Sequence, residues 1–322
     1  MHKIRKAPIR FSPYFKRVIW GGDRIFHYKN MKPLDEPIGE SWEISAIPGC
    51  ESVAADGEYA GKTLSELVEL FHEDLLGRKA VERYGKKFPL LIKFIDANDN
   101  LSVQVHPDDT LAMKRHGSLG KTEMWYIISA EENAGIVAGF NRKLSPEEYR
   151  ERVKNNTLLE TLAVHESAPG KVFFLPAGQV HAIGGGNLLA EIQESSDITY
   201  RIYDYDRRDA SGKPRELHCE MAEGAIDFTP FKEKTSPHPV LPGVTRIVDC
   251  DHFKTHIIDV EKPMEYDAGY ESFTVLVCVE GEVDVTTEEG VAKLTAGHSI
   301  LLPAVVTEFI LKGRGKLLAV NV

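Results

Sequence analysis

The feature that most constrains this chain is a turn pattern that occurs twice. Gly170 and Pro176 are separated by five residues, and Gly297 and Pro303 are separated by the same number. Glu123-Met-Trp-Tyr-Ile-Ile128 can likewise be laid over Glu271-Ser-Phe-Thr-Val-Leu276. A repeated strand-turn-strand outline carries architecture before it carries chemistry. It predicts a mainly β chain built as two small β-barrels. The copies differ on the C-terminal side of the proline. Gly178 and His181 stand two and five residues after Pro176, whereas Val305 and Glu308 stand at the same offsets after Pro303. One barrel is therefore expected to hold a metal and the other not.

Between the repeats the chain reads as short strands and a few helices. Thr63 and Glu66 form a capping-box pattern, and Leu64, Leu67, Val68, Phe71 and Leu75 recur at helical spacing. Ser145-Pro146-Glu147-Glu148 starts a second helix, and Asp108 and Asp109 cap a helical turn over Thr110 to His116. Phe88 to Ile95 is a buried-strand run. The stretch Lys232 to Pro239 is the best linker, which divides the chain into residues 1–235, with the helical insertions, and residues 236–322, all β. Its strands are expected at Phe273–Val279, Glu282–Val285, Ser299–Leu302 and Leu317–Val320.

The chemistry gathers in the first copy. Side chains alternate along a strand, so Gln104 and His106 in Leu101-Ser-Val-Gln-Val-His106 project to one side and Val103 and Val105 to the other. With the Glu123 carboxylate and the His181 imidazole they would complete a mixed nitrogen and oxygen set of the kind divalent metals accept. These donor types admit zinc, iron, manganese or cobalt alike.

Bulk composition excludes several classes. The net charge of -10 argues against a nucleic-acid binder, though a local cluster of Lys and Arg can still hold a small anion. The four cysteines have no metal-type spacing and are too few for a disulfide scaffold. No apolar run is long enough to span a bilayer, and no apolar segment of a signal peptide follows the basic start. A cytoplasmic protein with no membrane partner is expected. The sequence carries no signal for an oligomeric state.

Gly-x5-Pro-x-Gly-x2-His, from Gly170 to His181, resembles the second motif of the cupin superfamily of jelly-roll barrels. Gln104-x-His106 resembles the first motif, with Gln in place of its first His. Gly39–Ser45, Leu101–Asp108, Gly120–Tyr126, Pro176–Ala182 and Leu189–Asp206 are together similar to type I mannose-6-phosphate isomerases of the short bacterial form. The resemblance runs to about residue 210. Beyond it only barrel-like character continues, and the chain is too short for the helical domain of larger members.

The resemblance implies two cupin barrels, the second degenerate, and one zinc ion per chain on Gln104, His106, Glu123 and His181. It implies a sugar phosphate substrate, with mannose 6-phosphate and fructose 6-phosphate interconverted through an enediol(ate). It also places the active-site arginine at Arg201, on the strand face opposite Tyr200 and Ile202. Glu191, beside Gln193, is the candidate proton carrier, its pKa expected to be raised by burial toward working pH. Lys121 shares the face of Glu123 and could contact the sugar or its phosphate. Lys93, a charge within Leu90-Leu-Ile-Lys-Phe-Ile95, needs a partner, and Gly184-Gly-Gly186 reads as a turn. Two rival classes are an iron-dependent cupin dioxygenase and a non-catalytic sugar-binding bicupin.

Overall fold

A computed structural model of the chain describes residues 3–208, 212–233, 235, 237–269 and 271–322. Lys234 and Ser236 of the expected linker, and Met1 and His2 of the basic start, lie outside the described residues. Short alternating runs that end at Gly or Pro become antiparallel strands, and the chain is mainly β.

Six strands make one sheet, in the order Val172–Leu175, Glu123–Ala130, Asn187–Glu194, Leu90–Ala97, Ile38–Ile44 and Tyr14–Gly22. Five make another, in the order Tyr200–Tyr203, Val103–Val105, His181–Ile183, Gly135–Phe140 and Leu162–Glu166. Trp125, Ile127 and Leu189 from the first share one apolar core with Ile136, Ala138 and Ile183 from the second. That shared core sets the two sheets against each other, and the candidate site lies between them. A third sheet of ten strands holds the residues from His238 onward. Among the described residues each sheet is an open series of strands.

The repeat has a physical basis in its glycines. Gly170 and Gly297 sit at φ 84° and 83°, a region closed to most side chains, and each turns the chain into a short strand that ends at the proline. These strands are Val172–Leu175 and Ser299–Leu302. Gly184 serves close packing, because a Cβ there would stand 2.5 Å from Gly135 O.

The expected caps form. Thr63 Oγ1 accepts from Glu66 N, and the Glu66 carboxylate accepts from Thr63 N. Ser145 caps Pro146–Lys154, and Asp108 caps Asp109–His116. The Leu64 helix is shorter than its periodicity suggests: it stops at Phe71, His72 takes φ 44°, and Leu75 falls in a separate turn, Glu73–Leu76. In the C-terminal part, Thr274–Thr287 is one strand where the sequence suggests two. A register shift between Cys278 and Glu280 accounts for the apparent break.

The chain's two halves are joined through a strand and through the core. Ile9–Ser12 pairs antiparallel with Ser299–Leu302, Ile9 opposite Leu301 and Arg10 opposite Ile300. A single apolar cluster contains Ile25, Leu75 and Phe88 together with Val275, Leu301 and Val320. Ending the chain after residue 235 strips these contacts and leaves Ile9–Ser12 paired on one edge only, with Val53–Ala54. That fragment is expected to aggregate, and the soluble fraction on expression, compared with the full chain, checks it. Among the described residues no helix is long and apolar enough to cross a membrane.

Candidate metal centre

Alternation along neighbouring strands determines which side chains meet. His181 lies directly opposite Gln104 across an antiparallel pair, so both project to the same side. His106 follows immediately on the Val103–Val105 strand, and Glu123 opens the strand of the facing sheet. The Nε2 atoms of His106 and His181 are 3.1 Å apart. Glu123 Oε1 is 3.1 Å from His181 Nε2, and Glu123 Oε2 is 3.6 Å from His106 Nε2. All three residues are fully buried.

Each imidazole is oriented from behind. His106 Nδ1 lies 2.8 Å from Ile198 O, and His181 Nδ1 lies 2.8 Å from Gln179 O. A carbonyl oxygen only accepts, so Nδ1 carries the proton and donates, leaving Nε2 as a lone pair. Burial pushes the His106 pKa well below its ordinary value and that of His181 to about 4, so both rings are neutral at pH 7. Burial also lifts Glu123 to about 7 against the pull of Lys121. Neither Glu123 oxygen receives a well-formed hydrogen bond. Two lone pairs and a carboxylate thus converge, an arrangement that repels itself unless a cation joins it. Lys121 stands nearest, its Nζ 3.0 Å from Glu123 Oε2 and 3.2 Å from His106 Nε2.

Lys121 and Gln104 also line a cavity of about 360 Å³ with Lys93, Glu191, Glu40 and Arg201. The Gln104 amide makes no hydrogen bond to the described residues and is only partly buried. Arg201 donates from Nε to Ser102 Oγ (3.3 Å) and from Nη1 to Glu216 O (3.0 Å).

The Glu191 neighbourhood corrects one expectation. Glu191 is paired in register with Lys93 on one side and Trp125 on the other. Lys93 Nζ donates to Oε1 and Trp125 Nε1 to Oε2, each at 2.9 Å. Burial alone would raise the pKa, but Lys93 and Lys121 outweigh it and hold the carboxyl down at about 2. Lys93 has the partner its sequence context demands, and a second one in Glu40 at 3.4 Å, which itself accepts from Trp42 Nε1 (2.7 Å). Glu40 and Trp125 are the site residues that sequence reasoning passed over. Strand pairing sets Trp42 opposite Lys93 and Glu40 opposite Ile95 on the same face, which brings the Glu40 carboxylate diagonally to Lys93.

Two family models match the chain. One, described as phosphomannose isomerase type I, catalytic domain, covers residues 9–132, and the other, mannose-6-phosphate isomerase, cupin domain, covers residues 243–322. The chain is 37% identical to the mannose-6-phosphate isomerase ManA of Bacillus subtilis over 95% of this chain and 96% of that one. It is 35% identical to the mannose-6-phosphate isomerase of Streptococcus mutans over 97% of each. The crystal structure of a Bacillus subtilis mannose 6-phosphate isomerase superposes with a TM-score of 0.88, at 35% identity, over 98% of this chain and 99% of that one. The apo form of the Salmonella typhimurium enzyme shares the fold at a TM-score of 0.79 and 17% identity, over 98% of this chain and 99% of that one. With similarity running from end to end, the chain belongs to the type I mannose-6-phosphate isomerase family.

Proposed function

We propose that this protein interconverts mannose 6-phosphate and fructose 6-phosphate at a zinc centre formed by His106, Glu123 and His181, with Gln104 as the fourth donor. The observation that carries the reading is the convergence of two buried neutral imidazoles and an unsatisfied carboxylate beside the polar cavity. The residues fit a borderline-soft divalent ion, and the free amide of Gln104, opposite His181, can turn its oxygen toward it. Zinc bound there would supply a Lewis acid and a template for the two substrate oxygens about the reacting carbons.

The chain's own groups then divide the work. Isomerisation moves a proton between C1 and C2 by way of an enediol(ate) and needs a carrier for it. Glu191, ionised at neutral pH, faces the cavity and takes the proton from one carbon and returns it to the other. Its low pKa makes it a weak base, so the proton is held only briefly. Lys93 keeps Glu191 ionised and oriented between two hydrogen-bond donors. The guanidinium of Arg201, fixed by Ser102 and the Glu216 carbonyl, faces negative charge on the substrate oxygens or the phosphate. Lys121 reaches the same space from the metal side.

Glu191→Gln is expected to abolish exchange of the C2 hydrogen with solvent while zinc content stays at the wild-type level. Hydrogen exchange followed by NMR checks this, and near-normal exchange would remove Glu191 from the role. The activity itself is tested by a coupled assay with mannose 6-phosphate on purified protein. Turnover is expected to disappear with a chelator and to return with zinc. Turnover that survives full chelation sinks the metal reading. The end-to-end similarity is to isomerases, so neither a dioxygenase nor a binding-only role is favoured by any feature of the site.

We read the two facing sheets of the first half as a jelly-roll barrel and the C-terminal sheet as its degenerate copy, divided near residue 235. The matched glycine turns support this. Four unpaired cysteines are in keeping with a cytoplasmic setting.

A further inference from the structure

Three short segments carry the metal donors, and backbone hydrogen bonds lace them together. Lys121 N–H donates to Pro107 O (3.1 Å) and Gly178 N–H to His106 O (2.9 Å). Gly120 N–H donates to Asp109 Oδ1 (2.8 Å), and a Cβ on Gly120 would collide with the Asp109 backbone nitrogen at 2.5 Å. Glu194 grips the next residue twice. Its N–H donates to Thr122 O (3.2 Å), and its Oε2 accepts from Thr122 N (2.7 Å). Asp109 and Glu194 thus hold the two ends of the run that leads into Glu123.

The remaining oxygen of Glu194 points across to the other half of the molecule. Glu194 is 1% exposed, and Oε1 has no well-formed hydrogen bond. It lies 2.8 Å from His252 Nδ1, an ion-pair contact. His252 also stands 3.9 Å from Asp109 Oδ2, and Arg83 Nη2 lies 3.3 Å from the same ring nitrogen. His252 belongs to the tight turn in which Cys250 N–H donates to Phe253 O (3.1 Å), just past the Val244–Asp249 strand of the C-terminal sheet.

We infer that His252 is a positioning residue for the metal centre: by holding Glu194 and Asp109 it fixes residues 120–123, and so the Glu123 carboxylate, against the two histidines. The inference rests on the metal reading above. Without the imidazole, Glu194 would keep a buried carboxylate oxygen with no positive partner at hand except Arg83. It would then turn toward another partner, and Thr122 would move with it. Burial disfavours the charged ring, but Glu194 and Asp109 outweigh it and hold the His252 pKa above its ordinary value, against the opposing charge of Arg83. Donor atoms of Asp109, Glu194 and His252 lie within 4.8 Å of one another, as in a metal site. Arg83 already supplies positive charge at that point, so a clasp accounts for the group better than a second ion. The C-terminal half, which lacks the metal-binding histidines, thereby contributes to the centre in the other half.

The test compares zinc release to excess chelator, and the absorption spectrum of the cobalt-substituted protein, in wild type and variants. His252→Ala is expected to release zinc about tenfold faster and to alter the cobalt spectrum, the size of effect seen when groups behind metal ligands are removed. His252→Gln, which keeps an N–H for Glu194, should recover part of the difference. Phe273→Leu trims the same interface elsewhere, where Phe273 packs on Phe88 with centroids 4.5 Å apart. It should lower the melting temperature without speeding release. Equal release from wild type and His252→Ala, or equal acceleration by Phe273→Leu, overturns the clasp. Wild type that binds no zinc overturns the metal reading as well. If His252→Ala does not fold, Glu194→Gln serves the same comparison.

Discussion

His181→Ala is expected to lower turnover about a thousandfold or more and to leave the purified protein nearly free of zinc, with its fold intact. The magnitude follows from the several kcal/mol that a metal contributes to charge stabilisation in such reactions, at about 1.4 kcal/mol per factor of ten. Retention of the fold follows from electrostatics. In protein stripped of metal, His181 Nε2 faces His106 Nε2 at 3.1 Å, so removing the ring relieves that repulsive contact while giving up the bond to Gln179 O. It also removes an edge contact with Trp125, whose centroid lies 5.4 Å away, so some packing is lost in exchange. The second copy of the repeat has Glu308 at this position and still forms its strands. The diagnostic measurement is unfolding with and without zinc. Wild type should gain about 4 kcal/mol when zinc is a thousandfold above its dissociation constant, and the variant should gain nothing. A variant that keeps full metal content removes His181 from the ligand set.

Lys93→Met is expected to cost about 3–5 kcal/mol of stability, because it leaves two buried carboxylates without their shared cation. Lys93 Nζ is 2.9 Å from Glu191 and 3.4 Å from Glu40, and all three side chains are almost wholly buried. The pH dependence should also flatten. In the wild type Glu191 is held near 2, below its unfolded value near 4.5, so its contribution is present above about 4.5 and is lost as the pH falls toward 2. With Lys93 gone, Lys121 and the Trp125 N–H still favour the ionised form against burial, so the depression of the folded pKa shrinks. The part of the stability that Glu191 loses on acidification shrinks with it. Urea unfolding across a pH series separates the two cases, and Lys93→Met combined with Glu191→Gln should recover part of the loss. Unchanged stability in the single variant would mean that water reaches this network freely.

Local chemistry was readable where it depends on residues near in sequence. The caps at Thr63, Asp108 and Ser145, and the glycine turns before Pro176 and Pro303, need only neighbours along the chain. His106 and His181 were readable because strand alternation and the recurring glycine spacing both point to them. What lies across a sheet was not. Glu191 and Lys93 are 98 residues apart and meet only through strand pairing, so the sign of the Glu191 shift depended on a partner that alternation cannot reveal. Asn187–Glu194 is buried on both faces, which removes the contrast that alternation relies on. His252 was invisible for the same reason: its value lies in a contact between halves. The helix at Leu64 was overextended because periodicity continues through His72, where the backbone does not.

The pairing of Ile9–Ser12 with Ser299–Leu302 has a consequence for how the protein is made. A ribosome adds about 5–20 residues each second, so the first strand emerges about 15–60 s before its partner has been synthesised. Through that interval Ile9 and Phe11, buried in the finished protein, have no completed sheet to join. Phe11 and Ser12 can pair early with Ala54 and Val53, but the other edge of this apolar strand stays open until the final segment arrives. Ribosome-stalled lengths ending before residue 299 should therefore be more open to protease at the N-terminus than the released protein.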